Sequence, residues 1–146
     1  MKPGVLLDTG PVVAVLSESD AHHAVCVAAL KNLPARMLTC WPVITEAAWL
    51  LRSRPAAIQA LLRLVREGVY VPAEPQASDA AAIAMIMHRY RSAGAQLADA
   101  CLVHLADCER IDTVFTLDRR HFSVYRTRAG RPLRIVPDLE TTAADP

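Results

Sequence analysis

The sequence predicts a single α/β domain in which a central, mostly parallel sheet of about five strands is covered by helices on both faces. Short apolar runs alternate along the chain with longer segments of helical periodicity, as in consecutive β–α units. The length of 146 residues suits one domain. Hydrophobic residues make up 53% of the chain, which is enough to fill the core of such a three-layer arrangement.

The first half of the chain is expected to contain two strands and three helices. In chain order these are a strand over residues 5–7, helices over 11–16 and 20–33, a strand over 37–40 and a helix over 42–52. Pro11 and Pro42 suit the first position of a helix. In the third helix Ile44, Ala47 and Leu51 recur on one face. We expect Trp41 and Trp49 to pack that helix against the sheet.

The second half is expected to contain three helices and three strands. They are a helix over residues 56–67, a strand over 69–71, helices over 78–92 and 97–108, and strands over 113–117 and 133–136. Pro55 opens the first helix and Gly68 stops it, while Pro72 closes the strand that follows. Ser78 is a suitable N-cap for the next helix, and Gly94 ends it.

Several classes of protein are excluded at this level. The domain is expected to span residues 1–140, with a flexible tail at 141–146. There is no run of about 18 uncharged apolar residues, so no membrane span is predicted. The first apolar run reaches Asp8 after three residues, which is too short for a signal peptide and predicts a cytoplasmic protein. Four cysteines without a CxxC pair are expected to be reduced core residues.

Four acidic residues fall where the ends of the predicted strands bring them together. Asp8 directly follows the first strand, and Asp118 directly follows the fourth. Glu46 lies in the first turns of the helix after the second strand, and Asp99 in the first turn of the helix that begins near Leu97. Parallel sheets bind ligands beyond the carboxyl ends of their strands, so all four carboxylates are expected to face one crevice. Glu46 and Asp99 lie in apolar surroundings and are expected to be buried.

Each acid alone has a simpler interpretation as a helix cap, a turn residue or a favourable charge at a helix start. The set of four is more specific, because clustered carboxylates repel one another and no Lys lies near them in the sequence. A divalent cation relieves that repulsion, and ligands that are all oxygen select Mg²⁺ or Mn²⁺ over zinc. Such a site suits hydrolysis of phosphodiesters.

Four sequence blocks, in this order, resemble the signature blocks of the PIN-domain family and of its VapC-type toxins. They are Leu6-Leu7-Asp8-Thr9-Gly10-Pro11, Ile44-Thr45-Glu46-Ala47-Ala48-Trp49-Leu50-Leu51, Gln96-Leu97-Ala98-Asp99-Ala100 and Phe115-Thr116-Leu117-Asp118-Arg119-Arg120-His121-Phe122. The resemblance covers about residues 4–137. It implies a sheet order of 3-2-1-4-5 and an endoribonuclease that depends on Mg²⁺ or Mn²⁺.

The resemblance also implies roles for individual residues. Asp8 and Asp99 are expected to bind the metal directly. Glu46 and Asp118 are expected to complete the site by positioning metal or water, and the hydroxyls of Thr9 and Thr116 to support it. His121 receives no role. VapC toxins are held inactive by a VapB antitoxin whose peptide fills the acidic groove, and they form homodimers, so both partners are expected here.

Arginines crowd the segment after Asp118, and Arg119 and Arg120 are candidate contacts to RNA phosphates. A charge-balanced, solvated surface explains them equally well. The apolar side of the first helix, with Val12 and Val13, is either a dimer face or ordinary core. The alternative function is an inactive PIN-like module that only binds RNA or a partner. Neither a haloacid-dehalogenase-type phosphatase nor a response-regulator receiver fits, because position 10 is Gly and no Lys follows the last strands.

Overall fold

The computed structural model describes residues 4–139 and confirms the α/β prediction. Five strands form its sheet: β1 (Leu6–Leu7), β2 (Met37–Cys40), β3 (Tyr70–Ala73), β4 (Thr113–Phe115) and β5 (Arg134–Val136). Its α-helices are α1 (Thr9–Leu16), α2 (His23–Ala29), α3 (Trp41–Leu50), α4 (Pro55–Arg66), α5 (Ala80–Arg89), α6 (Leu97–Glu109) and α7 (Arg119–Phe122). Short 3₁₀ turns cover Leu30–Asn32, Ala77–Asp79 and Arg91–Ala93. The proposed tail at 141–146 lies outside the described residues.

The strand order β3-β2-β1-β4-β5 is the predicted one, and all neighbouring strands within residues 4–139 pair in parallel. Because the chain first builds outward from β1 through β2 to β3 and then returns to the other side of β1, the order reverses between β1 and β4. That reversal opens a crevice beyond the carboxyl ends of these two strands. It therefore fixes where a ligand can reach the sheet.

The sequence patterns misplaced some element boundaries. Ser78 is not the N-cap that we expected. The 3₁₀ turn Ala77–Asp79 begins after Gln76, whose backbone N–H donates to Asp79 Oδ2 at 2.7 Å, and α5 starts only at Ala80. The single-turn helix α7 was not predicted, because four residues are too few to display a helical period.

The two tryptophans of helix α3 do not lie on the face that the helix buries. Val43, Ile44 and Ala47 face the core, in line with the predicted apolar face. Trp41 and Trp49 remain 42% and 64% exposed. The expectation that these two indoles pack the helix against the sheet is therefore wrong, and a large aromatic surface stays open to solvent.

The core is formed by the sheet and the inner faces of the helices. Val12 is fully buried, and Val13 packs against the core from a partly buried position, so the structure favours the core interpretation of helix α1. Cys26, Cys40 and Cys101 are buried as expected, whereas Cys108, next to the last residue of α6, is exposed. None of the helices in the described part of the chain is long and apolar enough to span a membrane.

Candidate active site at the carboxyl edge of the sheet

The four predicted acids lie around one cleft of about 470 Å³. We call it the acidic cleft, and its walls carry Asp8, Glu46, Asp99 and Asp118. Asp8 continues β1, Asp118 follows β4 after two residues, Glu46 projects from α3 and Asp99 from the first turn of α6. Four elements far apart in the sequence thus place their carboxylates at the same edge of the sheet.

Asp8 lies at the floor of the acidic cleft and is only 7% exposed. Its backbone N–H donates to the carbonyl of Phe115 at 3.0 Å, which ties it to β4. The Thr116 hydroxyl donates to Asp8 Oδ2 at 2.6 Å, and the same oxygen of Thr116 accepts the backbone N–H of Asp118 at 3.0 Å. Thr116 therefore holds the carboxylate at the point where the strand order reverses.

Burial raises the pKa of the Asp8 carboxyl from its ordinary value of 3.8 to about 6. The hydrogen bonds from the Thr116 hydroxyl and the Thr9 backbone lower it in part, whereas the negative charges of Asp99 and Glu46 raise it further. Within residues 4–139 no Lys or Arg forms an ion pair with any of the four acids. Among the described residues, no Lys or Arg therefore balances the negative charge of the cleft.

Glu46 is exposed, so the expectation that it is buried is wrong. Its position in α3 is on the solvent side, away from Ile44 and Ala47. The Thr9 hydroxyl donates to Glu46 Oε2 at 3.0 Å and thereby links the start of α1 to α3. This contact orients the carboxylate over the acidic cleft while leaving it accessible to water.

Asp99 is half-buried and is held by a residue that the sequence did not single out. The Tyr125 hydroxyl donates to Asp99 Oδ2 at 2.9 Å, and the Gln96 backbone N–H approaches the same oxygen at 3.4 Å. Burial and the bond to Asp99 raise the pKa of Tyr125, so its hydroxyl stays protonated as a donor. No sequence signal connects Tyr125 with Asp99, since the partners are 26 positions apart and the ring belongs to the core.

Asp118 caps α7 and pairs with His121. One of its oxygens accepts the backbone N–H of His121 at 3.1 Å, and His121 Nδ1 lies 2.8 Å from Oδ2. This hydrogen bond to Asp118 raises the pKa of His121 above its ordinary value. His121 also lines the acidic cleft, so a residue to which sequence analysis gave no role contributes a polar side chain to the site.

The donor set fits a hard divalent cation. Glu46 and Asp99 each keep one oxygen, Oε1 and Oδ1, that accepts no hydrogen bond within residues 4–139. Within the same residues, no three His, Cys, Asp or Glu side chains are arranged closely enough to form a complete metal site by themselves. Mg²⁺ is commonly bound through one or two carboxylates, with water and substrate phosphate as further ligands. An open acidic cleft suits that mode better than a closed structural site.

The two candidate RNA contacts differ in their surroundings. Arg119 is half-buried and donates to the carbonyl of Pro137 at 3.0 Å, so it anchors the chain after β5. Arg120 is exposed. Neither lines the acidic cleft. A contact with RNA through Arg119 would compete with this anchoring bond, which leaves Arg120 as the better candidate.

Comparisons with known proteins agree with this geometry. A family model for the PIN domain matches residues 5–127. The chain is 29% identical over 136 residues to Ribonuclease VapC26 of Mycobacterium tuberculosis (strain ATCC 25618 / H37Rv), an alignment that covers 91% of this chain and all of that protein. The fold of the present chain is similar to that in the crystal structure of VapC20 of Mycobacterium tuberculosis, a sarcin-ricin-loop-cleaving toxin. The TM-score is 0.73 and the sequence identity 18%. That match covers 80% of this chain and 92% of VapC20.

The raised pKa of Asp8 predicts a specific pH dependence of stability in metal-free solution. Asp8 binds its proton more tightly in the folded than in the unfolded chain, so its protonation stabilises the fold. This contribution to the free energy of unfolding is fully present below about pH 4 and is lost as the pH rises to about 6. The loss is roughly 3 kcal/mol of unfolding free energy. Urea unfolding of the native chain and of Asp8→Asn, compared across this range, isolates the effect.

Asp112→Asn is the matched control, because Asp112 is exposed and precedes β4, whereas the cleft lies beyond the other end of that strand. This variant should keep the pH dependence of the native chain. Parallel pH profiles for the native chain and Asp8→Asn would show that Asp8 titrates normally and would contradict the prediction.

Proposed function

The chain belongs to the PIN domain family, and from that premise we propose that it is a VapC-type endoribonuclease that uses Mg²⁺ or Mn²⁺ to hydrolyse RNA phosphodiester bonds. One observation carries the proposal: carboxylates from four elements line one cleft at the carboxyl edge of the sheet, and no Lys or Arg in the described part of the chain pairs with them. The similarity to Ribonuclease VapC26 supports RNA as the substrate. We place the activity in the cytoplasm.

Asp8 and Asp99 are the residues that we assign to the metal. When bound there, the ion supplies positive charge against the phosphate oxygens and makes water more acidic. Thr116 and Tyr125 hold these two carboxylates through hydrogen bonds of 2.6 and 2.9 Å, so each ligand keeps its orientation at little cost in side-chain entropy. The acidic pair therefore forms the fixed floor of the reaction site.

Glu46 and Asp118 are assigned to the attacking water. Thr9 orients Glu46, and the amide of His121 orients Asp118, so each can accept a hydrogen bond from water above the floor of the cleft. Attack by water oxygen on phosphorus breaks the bond between phosphorus and the 3′-oxygen, and the water proton passes through a carboxylate to the departing 3′-oxygen. The products are a 5′-phosphate and a 3′-hydroxyl.

The substitutions Asp8→Asn and Asp99→Asn should abolish cleavage of single-stranded RNA while retaining the fold. Loss of a metal or electrostatic group commonly lowers the rate by more than about a hundredfold, or about 2.7 kcal/mol in the barrier. RNA binding should persist or tighten, since a negative charge leaves the phosphate path. The assay measures cleavage of end-labelled RNA, the chemical ends of the products and the affinity of each variant.

Asp112→Asn serves here too as the control and should cleave RNA at the native rate. Products with 2′,3′-cyclic phosphate ends, or full activity in EDTA, would refute the mechanism. If the native chain binds RNA and cleaves none with Mg²⁺ or Mn²⁺, the inactive binding module becomes the better account.

Two partners follow from the VapC likeness and belong to this proposal. One is a VapB-like antitoxin whose peptide occupies the acidic cleft. The other is a second copy of the chain. A cation-bearing peptide suits the cleft because its acids lack partners of opposite charge among Lys and Arg in residues 4–139.

The homodimer predicts a mass of twice 15.9 kDa for the purified chain. Light scattering at micromolar concentration measures it directly. A single species at the monomer mass, unchanged on concentration, would remove the dimer and leave the catalytic proposal intact.

A further inference from the structure

A second groove, of about 600 Å³, opens beside the acidic cleft. We call it the aromatic groove. Its apolar walls are Trp41 and Trp49 of α3 and Leu97 of α6, and it shares Glu46 and Gln96 with the acidic cleft. Trp49 is 64%, Leu97 52% and Trp41 42% exposed. A chain lying in the acidic cleft can therefore pass directly into this groove.

The two indoles flank Glu46 along α3. They are eight positions apart, which is about 12 Å along the helix axis. Trp49 is three residues beyond Glu46 and so lies next to it on the helix surface. The side chain assigned to the attacking water and the nearest large aromatic surface are thus neighbours.

Trp49 already has a cation on its ring. The Arg52 guanidinium carbon lies 4.1 Å from the ring centroid, and Arg52 Nη1 donates to the Trp49 carbonyl at 2.9 Å. This arrangement holds the indole and places a positive charge against its ring, although Arg52 itself does not line the groove. An open aromatic ring with a guanidinium beside it suits a base together with its phosphate.

The exposed apolar surface is small for a protein partner. Two half-exposed indoles and one half-exposed leucine offer on the order of 300 to 400 Å², taking roughly 250 Å² for a whole aromatic side chain. One partner in a standard protein interface contributes about 800 Å² in all, of which roughly 450 to 520 Å² is apolar. The patch is within the range of functional apolar patches on monomers, which is about 300 to 600 Å².

We propose that the aromatic groove binds unpaired bases of the RNA substrate, next to the bond that is cleaved, by stacking them on Trp49 and Trp41. This inference rests on the proposed ribonuclease function and extends it: the substrate must be single-stranded where it leaves the acidic cleft. Bases in a duplex are stacked on one another and cannot reach the indoles.

The chain contains two tryptophans, so each can be made the sole reporter of stacking. In an Asp8→Asn background, which binds without cutting, Trp41→Phe leaves Trp49 and Trp49→Phe leaves Trp41. Titration with a short unstructured oligoadenylate RNA should quench the remaining indole fluorescence to saturation. A base-paired RNA duplex and an abasic ribose-phosphate oligomer of the same length should leave that fluorescence unchanged.

Affinity measurements separate stacking from apolar bulk. Trp49→Ala and Trp49→Leu should weaken binding of the oligoadenylate about ten- to a hundredfold, whereas Trp49→Phe keeps an aromatic face and should remain close to native. Met85→Ala is the control, because Met85 is 72% exposed and lies outside the groove on α5. Its affinity should not change.

The outcomes distinguish this proposal from the one it rests on. If RNA binds and is cleaved while neither indole is quenched and Trp49→Ala binds normally, the groove proposal is overturned and the ribonuclease stands. If the native chain binds and cleaves no RNA, the proposed function itself fails. If Trp49→Ala converts a dimer to a monomer in light scattering without changing RNA affinity, the groove is an interface between copies, which also overturns the proposal.

Discussion

The structure depends on one hydrogen bond between neighbouring strands: the Thr116 hydroxyl donates to the Asp8 carboxylate at 2.6 Å. It joins the ends of β1 and β4 at the point where the strand order reverses, and it is almost fully buried. A carboxylate in this position is costly, since burial and the nearby acids both disfavour its charge. A fold optimised for stability alone would place an apolar side chain there.

Each acid of the cleft has its own support. Thr9 contacts Glu46, Tyr125 contacts Asp99, and His121 contacts Asp118. The donors are mostly neutral hydroxyls, so they orient the carboxylates without neutralising them. The resulting arrangement retains a strong negative potential in an open cleft, which is what the binding of a hard cation requires.

The order of strands was predicted from the resemblance to the PIN-domain family, and the edge at which the acids meet from the geometry of parallel sheets. The helical period of α3 also predicts the exposure of Trp49 and Glu46, although apolar neighbours in the sequence led us to expect that both are buried. At 100° per residue, Trp49 lies about 140° and Glu46 about 160° from Ile44 around α3, on the solvent side. Apolar neighbours in the sequence are not neighbours in space. The contact of Tyr125 with Asp99 was beyond prediction, because it depends on how the core packs the segment after α7 against α6.

The central claim is that the acidic cleft is a divalent-metal site, and metal-dependent thermal unfolding tests it most directly. Without metal, Asp8→Asn should be more stable than the native chain at pH 7, since it removes a buried charge. With Mn²⁺ at about ten to a hundred times its dissociation constant, the native chain should gain roughly 1.4 to 2.7 kcal/mol. Asp8→Asn should lose most of that gain, and Asp112→Asn should keep it. A native melting curve that millimolar Mn²⁺ leaves unmoved, or equal shifts in the native chain and Asp8→Asn, would contradict the account.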